Sequence, residues 1–208
     1  IPKVKDAAKA RGRALLGAGT VLTAAVMWLM VAPTWSGELR AGAAAVKITP
    51  PAGVSMAGYY SARGATEVHD DLFAKALVLE KDGKKAALVV LDLIRTHPEI
   101  VKLAREQIEK TTGLKGADVM ISATHTHTGP EIDSKSFRAK ALGGAKSETV
   151  EYAQSLPRLI ADAVRLAEAA LTAVKVSAAV GHEDSIAFNR RYHMKDGTVG
   201  WNPGKLNP

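Results

Sequence analysis

Apolar and polar positions along the chain fall into runs of recognisable length. The stretch "ELRAGAAAVKI" (38–48) predicts a first strand, stopped by "TPPAG". "DLFAKALVLE" (71–80) and "KAALVVLDL" (85–93) are apolar runs of strand length joined by "KDGK", and Asp82-Gly83 is a strong hairpin signal. Pro98 suits a first helical position, Ile100, Val101, Ala104 and Ile108 share one helical face, and Gly113 closes that helix. "ADVMISA" (117–123) predicts another buried strand, so strand, helix and strand form a crossover with parallel pairing. A second helix is expected from Glu148 to Ala173, kinked at Pro157, followed by a strand over 173–187. The predicted fold class is therefore α/β, a mixed sheet with helical crossovers.

The segments between these elements differ in character. Residues 49–68 contain "PPAGVSMAGYYSARGATEV", a long loop of small residues, and long loops inside compact domains are often functional. Residues 131–147 are polar and glycine-containing, which predicts a loop over the site. The tail "FNRRYHMKDGTVGWNPGKLNP" has few apolar anchors and is expected to be irregular.

Composition narrows the chemistry. The 208 residues are 47 % hydrophobic and 24 % charged, a globular balance with length for one domain and something extra. There is no cysteine, which excludes disulfides, thiolate zinc sites and cysteine nucleophiles. Any metal must be held by histidine or oxygen. The formal net charge is +7, but Lys3, Lys5, Lys9, Arg11 and Arg13 against Asp6 put +4 of it in the first 13 residues. With aromatics at 5 % and no basic stripe interleaved with them, nucleic acid is excluded as a partner. The basic start precedes the uncharged run "ALLGAGTVLTAAVMWLMVAP" (14–33), the pattern of an export signal. Residues 1–37 therefore read as a signal peptide, cut near Ser36, or as a retained membrane anchor. Either way the remainder, 38–208, is expected to be exported, periplasmic or extracellular.

The chemistry concentrates in "ISATHTHTGP" (121–130). In an extended chain, side chains two apart point to the same side, so His125 and His127 can face one site from the end of a buried strand. Strand ends in α/β sheets are where ligand crevices form. Neutral imidazole is a common zinc ligand, and a catalytic zinc takes few protein ligands. Each histidine could equally hydrogen-bond a backbone carbonyl.

The segment "SATHTHTGP" resembles the "THTHSGP" segment of the neutral/alkaline (non-lysosomal) ceramidase family. The resemblance extends from Arg40 to Pro208 in the same order, through "AGAAAVKITP", "MAGYY", "LFAKALVLEKDGKKAALVVLDL" and the pair Asn189-Arg190. It implies an exported Zn2+-dependent amidohydrolase that splits the N-acyl amide of ceramide-like lipids, substrates met at a membrane surface. It also implies His125 as a zinc ligand, and His127 and Arg190 as groups that bind the scissile carbonyl or its tetrahedral intermediate. The metal would activate water for attack on the amide carbon, and the two donors would meet the developing oxyanion. The remaining ligands of the family, a histidine in a His-Pro segment, a glutamate and a tyrosine, follow the Asn-Arg region there and are not found after Arg191. Residues 38–208 are thus expected to be the N-terminal part of a catalytic domain, an incomplete one carrying half a site. A domain of this fold that acts on another amide or ester, or that only binds, is the alternative.

Other residues have two readings each. His69, beside Asp70 and Asp71, either adds to a site at the loop mouth or is a hydrogen-bonded residue at a strand entry. Asp92 either caps a neighbouring segment or orients a ligating histidine. Arg191 competes with Arg190 for the arginine role. His97 sits by a helix start, and His182 and His193 have no local support for catalysis.

Overall fold

The computed structural model describes residues 37–187 and 189–201. The leader reading falls on 1–37 and so lies, Gly37 apart, outside the described residues. The chain divides into two units, with the boundary between Val174 and Lys175.

The first unit is built on a sheet. Strand β1 is Arg40–Lys47, β2 Phe73–Lys81 and β3 Lys84–Leu91. Helix α1 is Pro98–Thr112, and β4 is Val119–Ala123. A short helix α2, Phe137–Ala141, precedes the long α3, Ser147–Ala169, and β5 is Thr172–Ala173. The sheet order is β4-β3-β2-β1-β5. β1, β2 and β3 form an antiparallel meander, and β5 adds antiparallel to β1. β4 pairs parallel with β3, which requires the α1 crossover between them. The predicted mixed α/β sheet is therefore present.

Local chemistry explains the elements. At the β2–β3 turn both Asp82 and Gly83 have positive φ, 51° and 73°, as a type I′ hairpin needs. In α1, Pro98 occupies the first turn and Gly113 takes the left-handed conformation that ends the helix. Ile100, Ala104 and Ile108 are buried on one face. In α3, Leu156, Ile160, Val164 and Ala167 fall three or four apart and meet the sheet. The helix runs without a break through Pro157. On the sheet side, Ala74, Ala76 and Val78 of β2 are buried opposite Leu91, Val89 and Ala87 of β3. The other face of the sheet carries Leu77 of β2, Leu88 and Val90 of β3 and Met120 of β4 in exposed positions. Among the described residues no helix is long and apolar enough to cross a membrane.

Three expectations are corrected. The segment 131–147 is not all loop: α2 forms inside it, with the Ser136 hydroxyl capping the N–H of Ala139 at 3.2 Å. The strand expected over 173–187 stops at Ala173. It pairs antiparallel with β1, Arg40 opposite Ala173, so continuing would carry it past the start of β1. Val176, Val180 and Ile186 are accordingly exposed. The tail, in the second unit, is not irregular throughout. β6 (Arg191–His193) and β7 (Val199–Trp201) form a hairpin around Asp196-Gly197, where Gly197 has φ 83°.

Gly42 lets α3 approach β1: a Cβ there would collide with the carbonyl oxygen of Ala167. We expect Gly42→Ala to lower unfolding stability by about 1–3 kcal/mol through overpacking. Leu156→Ala, which empties a fully buried position, should cost about 2–5 kcal/mol. Urea unfolding measures both. A neutral Gly42→Ala would mean that the helix can shift outward without loss.

Candidate functional site

Parallel β3 and β4 end side by side, at Leu91 and Ala123, and the Thr124 N–H binds the Leu91 carbonyl at 2.9 Å. The chain segments leaving them, 92–97 and 124–130, are thus neighbours, at the kind of strand end where α/β sheets form crevices. His125 lies on one exit and Ile94 on the other. The His125 Nδ1 is 2.8 Å from the Ile94 carbonyl oxygen. A carbonyl only accepts, so Nδ1 carries the proton, and Nε2 of the neutral ring keeps its lone pair. His127 Nε2 lies 3.4 Å from that Nε2, and with His125 in this tautomer a hydrogen bond between them would be donated by His127. The rings meet edge to face, with centroids 5.0 Å apart.

The two histidines do converge, but not by strand alternation. β4 ends at Ala123, before either of them, and His125 has φ +64°. A non-glycine residue in that region is strained, and such strain gathers at functional sites. The turn that follows brings the second imidazole back onto the first.

The 49–68 loop forms the wall behind His127. The Ala57 N–H binds the Gly129 carbonyl at 2.9 Å, and the Glu131 N–H binds Ser55 at 2.7 Å. Gly58 has φ +94°, and a Cβ on it would lie 2.8 Å from the Cα of His127. Arg63 donates through Nη2 to the His127 carbonyl at 2.6 Å and stacks on the Tyr59 ring at 3.7 Å. Tyr59 in turn meets the His127 ring edge on, at 6.3 Å. The result is a cleft of about 560 Å³ whose walls include Tyr59, Tyr60, Arg95, His125, His127 and Arg138.

Glu131, with only 4 % of its side chain exposed, lies under this cleft. Its Oε1 accepts from Arg95 Nη2 at 2.8 Å and from the N–H groups of Ile132 and Asp133 at 3.0 Å. Asp133 accepts from the N–H groups of Lys135 and Ser136. Hydrogen bonding from Ser136 and then from Lys135, with Arg95 nearby, lowers its pKa to about 2.

The remaining candidates go elsewhere. Asp92 accepts the Phe73 N–H at 3.0 Å and pairs with Lys75 at 3.2 Å, so it caps the sheet end. The reading of Asp92 as orienter of a histidine is corrected: its partners are Phe73 and Lys75, and it is the Ile94 carbonyl that holds His125. His69 pairs with Asp70 at 2.7 Å in full exposure and lines a different cleft. His97 occupies the N-cap of α1 without capping through its side chain. In the second unit, Arg190 stands 5.2 Å over the Trp201 ring, Asn189 Oδ1 accepts the Arg191 N–H at 3.0 Å, and His182 pairs with Asp184. Among the described residues no third histidine, aspartate or glutamate joins the His125–His127 pair. Arg95, Glu131 and Arg138 were not singled out from the sequence. Tyr59 and Tyr60 were visible there as part of a small-residue loop and of the "MAGYY" segment that carries the resemblance, without a role of their own.

Neither a family model nor a curated protein matches the sequence. Solved structures do match in fold. Neutral ceramidase from Pseudomonas aeruginosa superposes with a TM-score of 0.59 at 25 % identity, over 66 % of this chain and 22 % of that one. A ceramidase complexed with C2 gives 0.58 at 26 % identity, with the same coverage. The fold is ceramidase-like. The resemblance seen in "SATHTHTGP" thus agrees with an independent comparison of backbones. The chain spans about a fifth of the length of those ceramidases.

The Asp133 shift has a testable sign. Its folded pKa lies below the ordinary carboxylate value, so its contribution is full above about pH 4 and is lost as pH falls through 2. We expect wild-type stability to fall more steeply than that of Asp133→Asn between pH 5 and 2. Parallel curves in urea titrations across that range would contradict the assignment.

Proposed function

We propose that this chain is the N-terminal part, 38–208, of the catalytic domain of an exported zinc-dependent amidohydrolase acting on an N-acyl amide. By likeness to the ceramidases, the substrate class is a ceramide-like lipid, cleaved to a fatty acid and a sphingoid base. The observation that carries the reading is the convergence of two imidazoles: His125, held through Nδ1 by the Ile94 carbonyl, turns its Nε2 to within 3.4 Å of Nε2 of His127. In the proposed assignment His125 Nε2 offers a lone pair and His127 Nε2 a proton. An amide hydrolase needs both kinds of group together.

The donor set fits zinc as a partial site: neutral imidazole nitrogen, with the far nitrogen held by a backbone carbonyl, is the usual arrangement for a zinc-bound histidine. His125 would hold the ion through Nε2, with further ligands needed. Zinc, when bound, supplies Lewis acidity at the scissile carbonyl. His127 donates its Nε2 proton to the carbonyl oxygen as negative charge develops there. Arg63 and Gly58 hold the His127 backbone so that this donor is aimed before substrate arrives. Arg190 is the proposed second donor to the same oxygen. In the overall reaction water adds its oxygen to the acyl carbon, the C–N bond breaks, and the amine leaves with a proton.

A second reading rests on one distance. Two nitrogens on one tetrahedral zinc, each at about 2.0–2.1 Å, stand roughly 3.3–3.4 Å apart. The 3.4 Å separation therefore also suits both histidines as ligands. Variants separate the two. In the intact natural protein, His125→Ala should lose zinc and activity together. His127→Ala should keep zinc and lose turnover by roughly 10²–10³. Equal zinc loss in both favours shared ligation, and zinc retained in His125→Ala defeats the proposal.

Arg190→Lys should also be a poor enzyme, since lysine lacks the planar fork of donors. Wild-type turnover in Arg190→Lys with loss in Arg191→Lys would move the role one residue along. The export proposal rests on the basic start and the uncharged run 14–33. Cell fractionation of the native protein checks it, and a cytoplasmic pool alone would refute it.

A further inference from the structure

The charge balance of the cleft points beyond a neutral lipid. We propose that the cleft beside His125 and His127 takes an N-acyl amide bearing a carboxylate next to the scissile bond, and that Arg138, assisted by Arg95, recognises that carboxylate. The proposal rests on the amide-hydrolase reading for the bond that is broken, and not on the ceramide assignment.

Two guanidinium groups from different elements line this cleft. Arg95 comes from the segment leaving β3, and Arg138 from the first turn of α2, fixed by the Ser136 cap. The acids that balance Arg95 are turned inward. Glu131 is buried, with Oε1 shared by Arg95 and two backbone N–H groups. Asp133, 3.9 Å from Arg95, is taken up by the turn at 135–136. Arg95 nonetheless keeps 48 % of its side chain exposed while lining the cleft. Arg138 forms no ion pair among the described residues. Its guanidinium lies 5.4 Å from the centroid of the exposed Tyr60 ring. Among the described residues, no carboxylate other than buried Glu131 lines the cleft.

A neutral amide seated here would strip water from Arg138 and give it no counter-charge. A carboxylate would return two parallel charge-assisted hydrogen bonds to the fork. Tyr59 and Tyr60, on the same wall, offer flat faces for the apolar part of such a ligand. An N-acyl amino acid has all of these parts in one molecule: acyl chain, amide, and carboxylate one carbon away.

The test uses the intact protein and two soluble probes, N-octanoylglycine and its uncharged counterpart N-octanoylethanolamine. Calorimetry gives affinities for the zinc-free protein, and product release with zinc is read separately. We expect wild type to bind the acid about tenfold more tightly than the neutral amide. That preference should shrink with added salt, collapse in Arg138→Gln, and return in part in Arg138→Lys. Equal affinities in wild type, or an undiminished preference in Arg138→Gln, would overturn the proposal. The two readings can fail separately. Preference with no cleavage of either probe leaves the anion site standing and removes the amidase. Cleavage of the neutral probe with no preference removes the anion site and keeps the amidase.

Discussion

β3 and β4 run parallel, in register from Ala87–Val119 to Leu91–Ala123, and both therefore end at the same edge of the sheet. This pairing is what the site hangs on. The backbone after each strand has unpaired carbonyls, and two exits placed side by side can satisfy each other or hold side chains. Thr124 takes the Leu91 carbonyl, and His125 takes that of Ile94. The second bond favours the tautomer with the proton on Nδ1, which would leave the His125 Nε2 lone pair turned toward His127 at the wall of the cleft. A crossover helix is the condition for that arrangement, because parallel neighbours cannot be joined by a tight turn. The apolar stripe of α1 thus serves the histidines indirectly, by paying for the crossover with buried Ile100, Ala104 and Ile108.

Close approach is the second requirement, and glycine meets it at two points. At Gly42 it lets α3 seat on β1, which closes the core. At Gly58 it lets the loop reach the backbone of His127, in a conformation that other residues rarely adopt. The loop is then held by few but directional contacts: Ala57 to Gly129, Glu131 to Ser55, Arg63 to His127. A segment secured in this way can keep small side chains along its length and still be rigid where the site needs it.

What the sequence disclosed follows the same physics. Local signals survived: the Asp82-Gly83 turn, Pro98 and Gly113 around α1, and the apolar runs of β2, β3 and β4 depend on neighbours in sequence. The strand expected beyond Ala173 failed because strand formation needs a partner, and β1 begins at Arg40. The hairpin at β6 and β7 was passed over because three-residue strands carry little periodicity, although its Asp-Gly turn repeats the signal at 82–83. His125 and His127 were legible as a pair, but the alternation argument gave the wrong cause. Asp82 is left-handed within a recognisable Asp-Gly turn, whereas the left-handed His125 has no such signal beside it in sequence. Arg95 and Glu131 are 36 residues apart, and neither carries a local motif that announces the other.

The Arg95–Glu131 pair shows how a cleft can hold a buried carboxylate without becoming an acidic site. A lone buried carboxylate would be costly, and would oppose any electron-rich group arriving above it. Here one oxygen of Glu131 accepts three donors, two of them backbone N–H groups that cannot move away. The negative charge is spent inward. Arg95 is held by it at a fixed place beside the Ile94 carbonyl that orients His125. The same short segment therefore sets the tautomer of one imidazole and the position of one cation. A change at Glu131 would act on both, through the 94–95 backbone, without touching a ligand. The cation of the cleft wall and the carbonyl that holds His125 thus sit on adjacent residues, so the charge of the cleft and the aim of His125 share one backbone segment.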